Sequence, residues 1–317
     1  MAKVAAIEIE GLDVGLRYDD LRGVFESQAS FSPASRVGKG IKEALNHCDR
    51  VFRKNGDPSL RNRSIVQSFV TLVCRIVKTG KAAGTEKRLH NFFEHFVAEL
   101  SRQVELGIRA TDQDYIEFQR TVTANVKTGA KIRHGILLRK LLTFDPAFVE
   151  MFDPTVVAES GLSHRINDLG DSIAKLVGQL NTAYATKHGE DLIKITNRTS
   201  QGLIELAKPI RDFSAYATLI DDLYFLFHEG PGGRLDAIKP QSFSEVNVLR
   251  TGLRHDVDHG EDKKVRAKRK KAGEVFRKYA GVDTPETLSP ERFPVVQANL
   301  LAAIEFDLRG LLKARAN

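Results

Sequence analysis

Residues 240–260 read PQSFSEVNVLRTGLRHDVDHG, and their apolar side chains repeat with the period of an α-helix. Four of them recur every three or four residues: Val246, Leu249, Leu253 and Val257. That spacing places them on one helix face, which must be buried against other elements. Before them, Ser242 and Glu245 have the spacing of an N-terminal capping box. Because Gly260 is a natural helix stop, the pattern predicts a helix over residues 243–259.

The same helical period continues through most of the chain, from Gly40 onward. Glycine and proline end most of the predicted helices, through backbone freedom or a missing N–H. These helices cover residues 40–55, 61–78, 86–107, 112–127, 131–143, 165–188, 190–210, 212–228, 243–259, 262–280 and 292–314. Residues 4–9 alternate weakly and predict one short strand. The expected fold class is therefore all-α, a helical bundle of two packed helical domains with a short N-terminal strand.

The chain has 317 residues, enough for two domains of roughly 150 residues each. A boundary is expected near Phe152-Asp153-Pro154 or in the turn-rich ESGLSH that follows. The sequence therefore predicts an N-terminal helical domain over residues 1–158, whose role it leaves open, and a second helical domain over residues 159–317.

Lysine and arginine outnumber aspartate and glutamate by 48 to 41, which gives a net charge of +7. Such a surplus favours an anionic partner, most often nucleic acid, although a mildly basic protein without one is as common. Nine of these cations lie in residues 263–278, KKVRAKRKKAGEVFRK, with one glutamate. We expect this helix to bind RNA phosphates without reading the base sequence. The predicted RNA-binding residues are Arg250, Lys263, Lys264, Arg266, Lys268, Arg269, Lys270 and Lys271.

Cysteine use and hydropathy predict a cytoplasmic protein without a membrane partner. Cys48 and Cys74 match no zinc or redox pattern and lie in apolar helical stretches, so buried free thiols are expected. The N-terminal residues lack the apolar core and cleavage site of a signal peptide. The longest apolar stretch, residues 65–77, is too short and too polar to span a bilayer and predicts a buried helix.

The spacing of the histidines in the opening stretch is compatible with a metal site. His255 and His259 lie one helical turn apart, as metal ligands often do, and Asp256 or Asp258 would add a carboxylate. The stretch lacks the glutamate directly after the first histidine that a zinc hydrolase uses as its base. A metal-dependent hydrolase is thus the weaker alternative, and neither a metal nor another cofactor is predicted.

Arg254, His255 and His259 resemble the signature of HEPN domains. These are small all-α domains, many of them ribonucleases. Their motif is an arginine and a histidine with four to six residues between them, and the first of those residues is usually polar. The polar residue here is His255, where asparagine or aspartate is commoner. Arg250 and His255 repeat the spacing less typically, and the resemblance covers only the second domain.

The resemblance implies a metal-independent endoribonuclease that acts as a homodimer, with a toxin-like role or one in antiphage or stress defence. The ribose 2′-hydroxyl would attack the adjacent phosphate, which requires a proton-transfer group and a cation that holds the phosphate. Arg254 would hold the phosphate and His259 would transfer the proton, while His255 and Asp256 would orient or support them. On a straight helix Arg254 and His259 point about 140° apart, so convergence needs a helix end or a second copy.

A non-catalytic helical module that binds RNA or protein is the alternative interpretation, in which the same residues catalyse no reaction. Charged helix ends usually form solvated faces, and here Asp256 and Asp258 would neutralise Arg254 and lysines of the next helix. In the first half, a second basic cluster within KIRHGILLRK would extend an RNA path or cap a helix; it consists of Arg133, His134, Arg139 and Lys140. This half would sense a trigger, bind a regulatory protein partner or hold the nuclease inactive, and the sequence leaves these alternatives open.

Overall fold

The computed structural model describes five ranges of the chain: residues 2–28, 31–52, 62–123, 128–254 and 262–316. Every regular element in these ranges is a helix, so the predicted all-α helical bundle is confirmed. The chain packs as two units, Met1–Gly161 and Leu162–Asn317.

The α-helices described in the first unit are α1 (Ala2–Glu10), α2 (Tyr18–Ser27), α3 (Arg36–Val51), α4 (Arg63–Lys78), α5 (Glu86–Leu106), α6 (Gln113–Thr123), α7 (Gly129–Phe144) and α8 (Pro154–Glu159). Helix α4 packs against α1, α3 and α7. Because neighbours cover it from several directions, α4 is buried around most of its circumference, as its long apolar stretch predicts. Within the described ranges, no helix is long and apolar enough to cross a membrane.

Aromatic side chains fill the core of this unit. The Phe69 ring of α4 lies 4.0 Å from the Phe93 ring of α5, measured between centroids. Phe96 packs edge-on against Phe69 at 5.9 Å and against Phe118 of α6 at 5.0 Å. All four rings are almost fully buried, and each such pair adds about 0.5–1.5 kcal/mol beyond the buried area.

The predicted strand over residues 4–9 is wrong, because these residues lie in α1. Val4 and Ile7, which are three residues apart, are both buried, and α1 packs on α4. A strand needs a second strand as its hydrogen-bonded partner, and the described residues contain no strand. Helical spacing, and not the weak alternation, therefore decides how this segment buries its apolar residues.

Both cysteines are buried free thiols, as expected. Burial raises the pKa of Cys48 and of Cys74 to about 12. The two side chains are therefore uncharged near neutral pH and act as small apolar residues in the core.

The α-helices described in the second unit are α9 (Leu162–His188), α10 (Asn197–Glu205), α11 (Phe213–Tyr224), α12 (Gln241–Arg254), α13 (Asp262–Ala280) and α14 (Phe293–Ala316). The two longest, α9 and α14, pack extensively on each other. Ser172 of α9 donates a hydrogen bond to Glu305 of α14 at 2.5 Å, and Arg309 donates to the same oxygen at 2.8 Å. This contact satisfies a carboxylate that lies almost entirely inside the pair.

Gln297, in α14, fixes the connection that leads into α11. Its amide group donates to the carbonyl oxygens of Leu206 and Lys208 at 3.1 and 2.9 Å, and its oxygen accepts from the Ile210 amide at 3.0 Å. The side chain is fully buried. Because three backbone groups of the connection depend on one core residue, the start of α11 is held in place relative to α14.

Candidate nucleic-acid site at the end of helix α12

Helix α11 continues past Tyr224 into a π-helical turn, Phe225–Glu229. The amide of Gly230 closes this turn by donating to the Phe225 carbonyl oxygen at 2.8 Å. A Cβ atom at Gly230 would lie 2.5 Å from the carbonyl oxygen of Leu226, so only glycine fits there without a shift. Single π turns inside helices are frequent at functional sites.

Arg250 and Arg254, one turn apart on α12, both bind Asp221 of α11. The Nε of Arg250 donates to Oδ1 of Asp221 at 3.3 Å, and the Nε of Arg254 donates to the same oxygen at 3.4 Å. Nη2 of Arg254 also donates to Oδ2 of Asp221. The hydrogen bond to Asp221 raises the pKa of Arg254, which keeps the guanidinium charged.

This arrangement leaves cationic capacity for an anion. Two guanidinium groups share one carboxylate, so the cluster keeps a net positive charge. Asp221 engages Nε and Nη2 of Arg254, and Nη1 has no partner within the described residues. Because the planar guanidinium is held on one edge, its remaining donors face a fixed direction, which suits a phosphate oxygen.

Aromatic rings hold the arginines from a second direction. The guanidinium carbon of Arg250 lies 4.0 Å from the ring centroid of Tyr224 and 5.8 Å from that of Phe225. Arg198, in the first turn of α10, lies 3.6 Å from the Phe225 centroid. Three elements, α10, α11 with its π turn, and α12, therefore build one cationic and aromatic surface.

The predicted capping box of α12 is wrong. The helix begins at Gln241, and the buried Ser242 hydroxyl has no hydrogen-bond partner in the described structure. The Ser242 amide instead donates to Oδ2 of Asp307 in α14 at 2.9 Å. Glu245 turns to α13, where it accepts from Lys278 at 2.9 Å and from the Tyr279 hydroxyl.

Glu245 ties α12 to α13 from the inside. Burial acts to raise the pKa of Glu245, but hydrogen bonds from Lys278 and Tyr279 outweigh it and lower that pKa. The helices approach closely where they cross, since a Cβ atom at Gly252 would lie 2.8 Å from Cβ of Ala272. The contact orients α13, whose first turns carry most of the predicted RNA-binding residues.

Residues 266–271 of α13 lie at the surface of the unit. Residues 266–271 are all exposed, which on a helix means exposure on every side, whereas Phe276, Tyr279 and Ala280 are buried. Five of those six exposed residues are cations: Arg266, Lys268, Arg269, Lys270 and Lys271. Lys263 and Lys264 lie in the first turn of the same helix. Solvent therefore reaches a dense group of cations next to the end of α12.

The histidine part of the predicted site lies outside the described residues. His255, Asp256 and His259 belong to that part of the chain, which separates Arg254 from α13. The structure thus places Arg250, Arg254 and the exposed cations of α13, and the convergence of Arg254 with His259 stays a prediction. In the described part of the chain, no three His, Cys, Asp or Glu residues form a group that could hold a metal ion.

The second basic cluster, which consists of Arg133, His134, Arg139 and Lys140, is largely internal and forms no RNA path. Arg133 is 6% exposed and donates to the Ser68 hydroxyl at 3.0 Å and to the Thr121 carbonyl oxygen at 2.7 Å. Arg139 and Lys140 bind Asp114 at 2.6 and 2.8 Å. Burial acts to raise the pKa of that carboxyl, but the two cations outweigh it and hold the pKa well below its usual value. These charges stabilise the first unit and are not available to a ligand.

Sequence reasoning missed the acid and the aromatic residues of the site. Asp221 reads as one of two aspartates in an apolar helix, and Tyr224 and Phe225 read as ordinary helix residues. Arg198 lies more than fifty residues upstream of Arg250, and no local pattern joins the two. The run Asp-Asp-Leu-Tyr-Phe mixes charges with large rings, which was the one available signal that this helix faces both core and solvent.

No known family model matches the chain, and neither a curated protein nor a solved structure is similar to it. The resemblance of Arg254 and His259 to the HEPN signature therefore stays an expectation. What the described residues establish by themselves is an arginine pair on a carboxylate, an adjacent aromatic surface and an exposed cationic helix.

Proposed function

We propose that the chain is a metal-independent endoribonuclease of the HEPN type, in which Arg254 holds the scissile phosphate. One observation carries the proposal: α12 ends with Arg250 and Arg254 on a shared carboxylate, and Arg254 lies five residues before His259, the histidine of the HEPN-like motif. An arginine that a carboxylate orients through one edge, and whose Nη1 has no partner among the described residues, is suited to hold a phosphate.

The proposed reaction uses the RNA's own nucleophile. The ribose 2′-oxygen attacks the adjacent phosphorus, the bond from phosphorus to the 5′-oxygen breaks, and a 2′,3′-cyclic phosphate and a 5′-hydroxyl result. His259 takes the proton from the 2′-hydroxyl and returns it to the 5′-oxygen, because an imidazole exchanges protons near neutral pH. Arg254 stabilises the charge that builds on the phosphate oxygens. His255 and Asp256 orient these groups.

Helix α13 would bring RNA to this site. Its exposed residues 266–271 present cations on all sides, so they attract a phosphate backbone without a preferred base sequence. Of the nine cations in residues 263–278, Arg277 pairs with Asp283 and Lys278 with Glu245. Those two lie in the half that packs on the unit, so we assign the binding role to exposed upstream cations such as Arg266 and Lys271.

The resemblance to HEPN domains is also the basis for the proposed oligomeric state and cellular role. It implies a homodimer in which two copies of the motif form a composite cleft, and a toxin-like, antiphage or stress-defence role in the cytoplasm. The first unit, Met1–Gly161, would then bind a regulatory protein partner or sense a trigger.

A non-catalytic RNA-binding protein is the second candidate function. It is favoured by the ion pair between Arg254 and Asp221, since a paired arginine at an exposed helix end has a structural role even without a substrate. In that case Arg254 would contribute to RNA binding through its remaining donors, and His259 would not matter.

The test is cleavage of total cellular RNA by the purified full chain in the presence of EDTA. We expect cleavage by the wild type and none by Arg254→Ala or His259→Ala. The matched controls are Arg211→Ala, whose arginine is exposed, and His164→Ala, whose side chain is 82% exposed. Both controls should cleave like the wild type.

Three other outcomes contradict the proposal in different ways. Cleavage that EDTA abolishes indicates the metal-dependent hydrolase. Cleavage that survives His259→Ala removes that residue from the chemistry. Binding of RNA without cleavage by the purified chain, which carries no regulatory partner, leaves the RNA-binding function.

A further inference from the structure

Arg198 is a planar cation that has no hydrogen-bonded partner among the residues that the structure describes. It lies in the first turn of α10, which Thr196 caps by accepting from the Thr199 amide at 3.3 Å. Its guanidinium carbon lies 3.6 Å from the centroid of the Phe225 ring, while the residue as a whole is exposed. Within the described residues, no hydrogen bond or ion pair uses this guanidinium. One face is thus covered by a ring, and the group is open to solvent elsewhere.

Phe225 has a second arginine nearby. The guanidinium carbon of Arg250 lies 5.8 Å from its centroid and 4.0 Å from that of Tyr224. The His228 ring lies 4.8 Å from the Tyr224 ring at an angle of 32°. Planar groups therefore follow one another across α10, the π turn and α12, at spacings typical of stacked rings and guanidinium groups.

The carboxylates around this row leave Arg198 unpaired. Asp221 binds Arg250 and Arg254. Burial raises the pKa of the nearby Asp222, an effect that the charge of Arg198 opposes. Glu205 accepts from Lys208 at 2.7 Å.

We propose that Arg198, Phe225, Tyr224 and Arg250 form a subsite that stacks an unpaired nucleobase beside the phosphate-binding Arg254. Single-stranded nucleic acid is recognised in this way, by bases stacked on aromatic rings or guanidinium planes next to cations that bind phosphate. Bases inside a duplex are already stacked on each other and are not available to such a surface. The inference rests on the proposed function for the identity of the polymer, and it adds a preference for unpaired segments.

The test measures binding and needs no cleavage. A short, fully 2′-O-methylated RNA is used as the probe, because it lacks the nucleophile and stays intact. Its affinity is measured by fluorescence anisotropy as a single strand, as a duplex with its complement, and as a strand that lacks its bases. Arg198→Lys keeps the charge and removes the plane, and Phe225→Leu keeps an apolar side chain and removes the ring.

We expect each variant to bind the single strand at least about fivefold more weakly than the wild type. Binding of the duplex and of the base-free strand should stay unchanged, because those probes offer only a backbone. Arg211→Lys, at an exposed arginine of the same unit, is the matched control and should match the wild type with every probe.

Equal losses on all three probes mean that Arg198 and Phe225 affect backbone binding or local structure and do not stack a base, which overturns the subsite. No loss on any probe, or no binding of nucleic acid by the wild type, overturns it as well. The proposed function fails separately: wild-type protein that binds single strands through Arg198 and never cleaves RNA retains the subsite and loses the nuclease. Cleavage that is insensitive to Arg198→Lys and Phe225→Leu, with unchanged binding, retains the nuclease and loses the subsite.

Discussion

Asp221 and Arg254, which are 33 residues apart in sequence, form an ion pair between α11 and α12. The side chain of Asp221 is 12% exposed, whereas that of Arg254 is 57% exposed. The acid is therefore held by its surroundings, and the arginine is oriented by the acid. Because the acid also binds Arg250, a single carboxylate sets the direction of both cations at the end of α12.

Asp221→Asn tests whether this orientation matters for catalysis. The substitution keeps the shape of the side chain and removes the charge that positions Arg254. We expect the cleavage rate at saturating RNA to fall by roughly 10- to 100-fold, since misplaced groups lose most of their effect. Binding of an uncleavable RNA should stay the same or tighten, because the site becomes more positive. Asp191→Asn makes the same charge change at an exposed residue, and an equal rate loss there would refute the positioning role.

The exposed half of α13 predicts a salt-dependent interaction. Arg266→Gln and Lys271→Gln should each weaken RNA binding for every sequence tested. Each should reduce the slope of log affinity against log salt concentration by about 0.7–0.9, if the cation contacts one phosphate. Lys175→Gln removes the same charge from an exposed position on α9 and is the control. If all three variants bind alike, net charge and not α13 accounts for binding.

The buried contacts of Glu245 predict a stability effect. Glu245→Gln removes the anion that accepts from Lys278 and Tyr279. We expect the free energy of unfolding in denaturant to fall by about 1–3 kcal/mol, because buried donors lose a charged acceptor. Glu274→Gln is the control, since its contact with Lys270 is 3.9 Å long and exposed, and it should change stability by less than about 0.5 kcal/mol. A similar loss in both variants would mean that charge removal alone explains the effect.

His134 predicts an acid-sensitive first unit. Burial, together with the charge of Arg75, lowers the pKa of His134 from 6.5 to about 4, and neither ring nitrogen has a hydrogen-bond partner in the described structure. Between these two values the unfolded chain binds a proton that the folded chain does not. Stability from this group is therefore complete above pH 6.5 and is lost as the pH falls to about 4, by up to about 3 kcal/mol.

His134→Leu should remove this pH dependence, because leucine has no proton to bind and the ring has no hydrogen bond to lose. The measurement is the denaturant midpoint of unfolding between pH 4 and pH 7. His164→Gln, at a side chain that is 82% exposed, should keep the wild-type profile. A His134→Leu profile that falls as steeply as that of the wild type would assign the acid sensitivity to other groups.

The failed predictions have a common cause. The strand over residues 4–9 was expected from alternation in six residues, a pattern too short to distinguish a strand from a helix that buries Val4 and Ile7. The capping box at Ser242 was expected from spacing alone, but Asp307, 65 residues away, takes the amide. In both cases a distant neighbour decided what a local pattern left undetermined.

The sequence by itself determined the all-α fold class and the buried faces of the longer helices. The period of the apolar residues is a local property, because each side chain's position on a helix follows from the step per residue. It also determined where the cations of α13 lie and which residues resemble a ribonuclease motif.

Only the tertiary structure decided which charges are available. Arg139 and Lys140 look as basic in the sequence as Arg250 and Arg254, yet the first two are bound to Asp114 inside the first unit. Arg250 and Arg254 share one carboxylate at the surface, beside the rings of α11 and its π turn. The physical reason is that pairing, stacking and exposure depend on contacts between helices, which no local sequence pattern specifies.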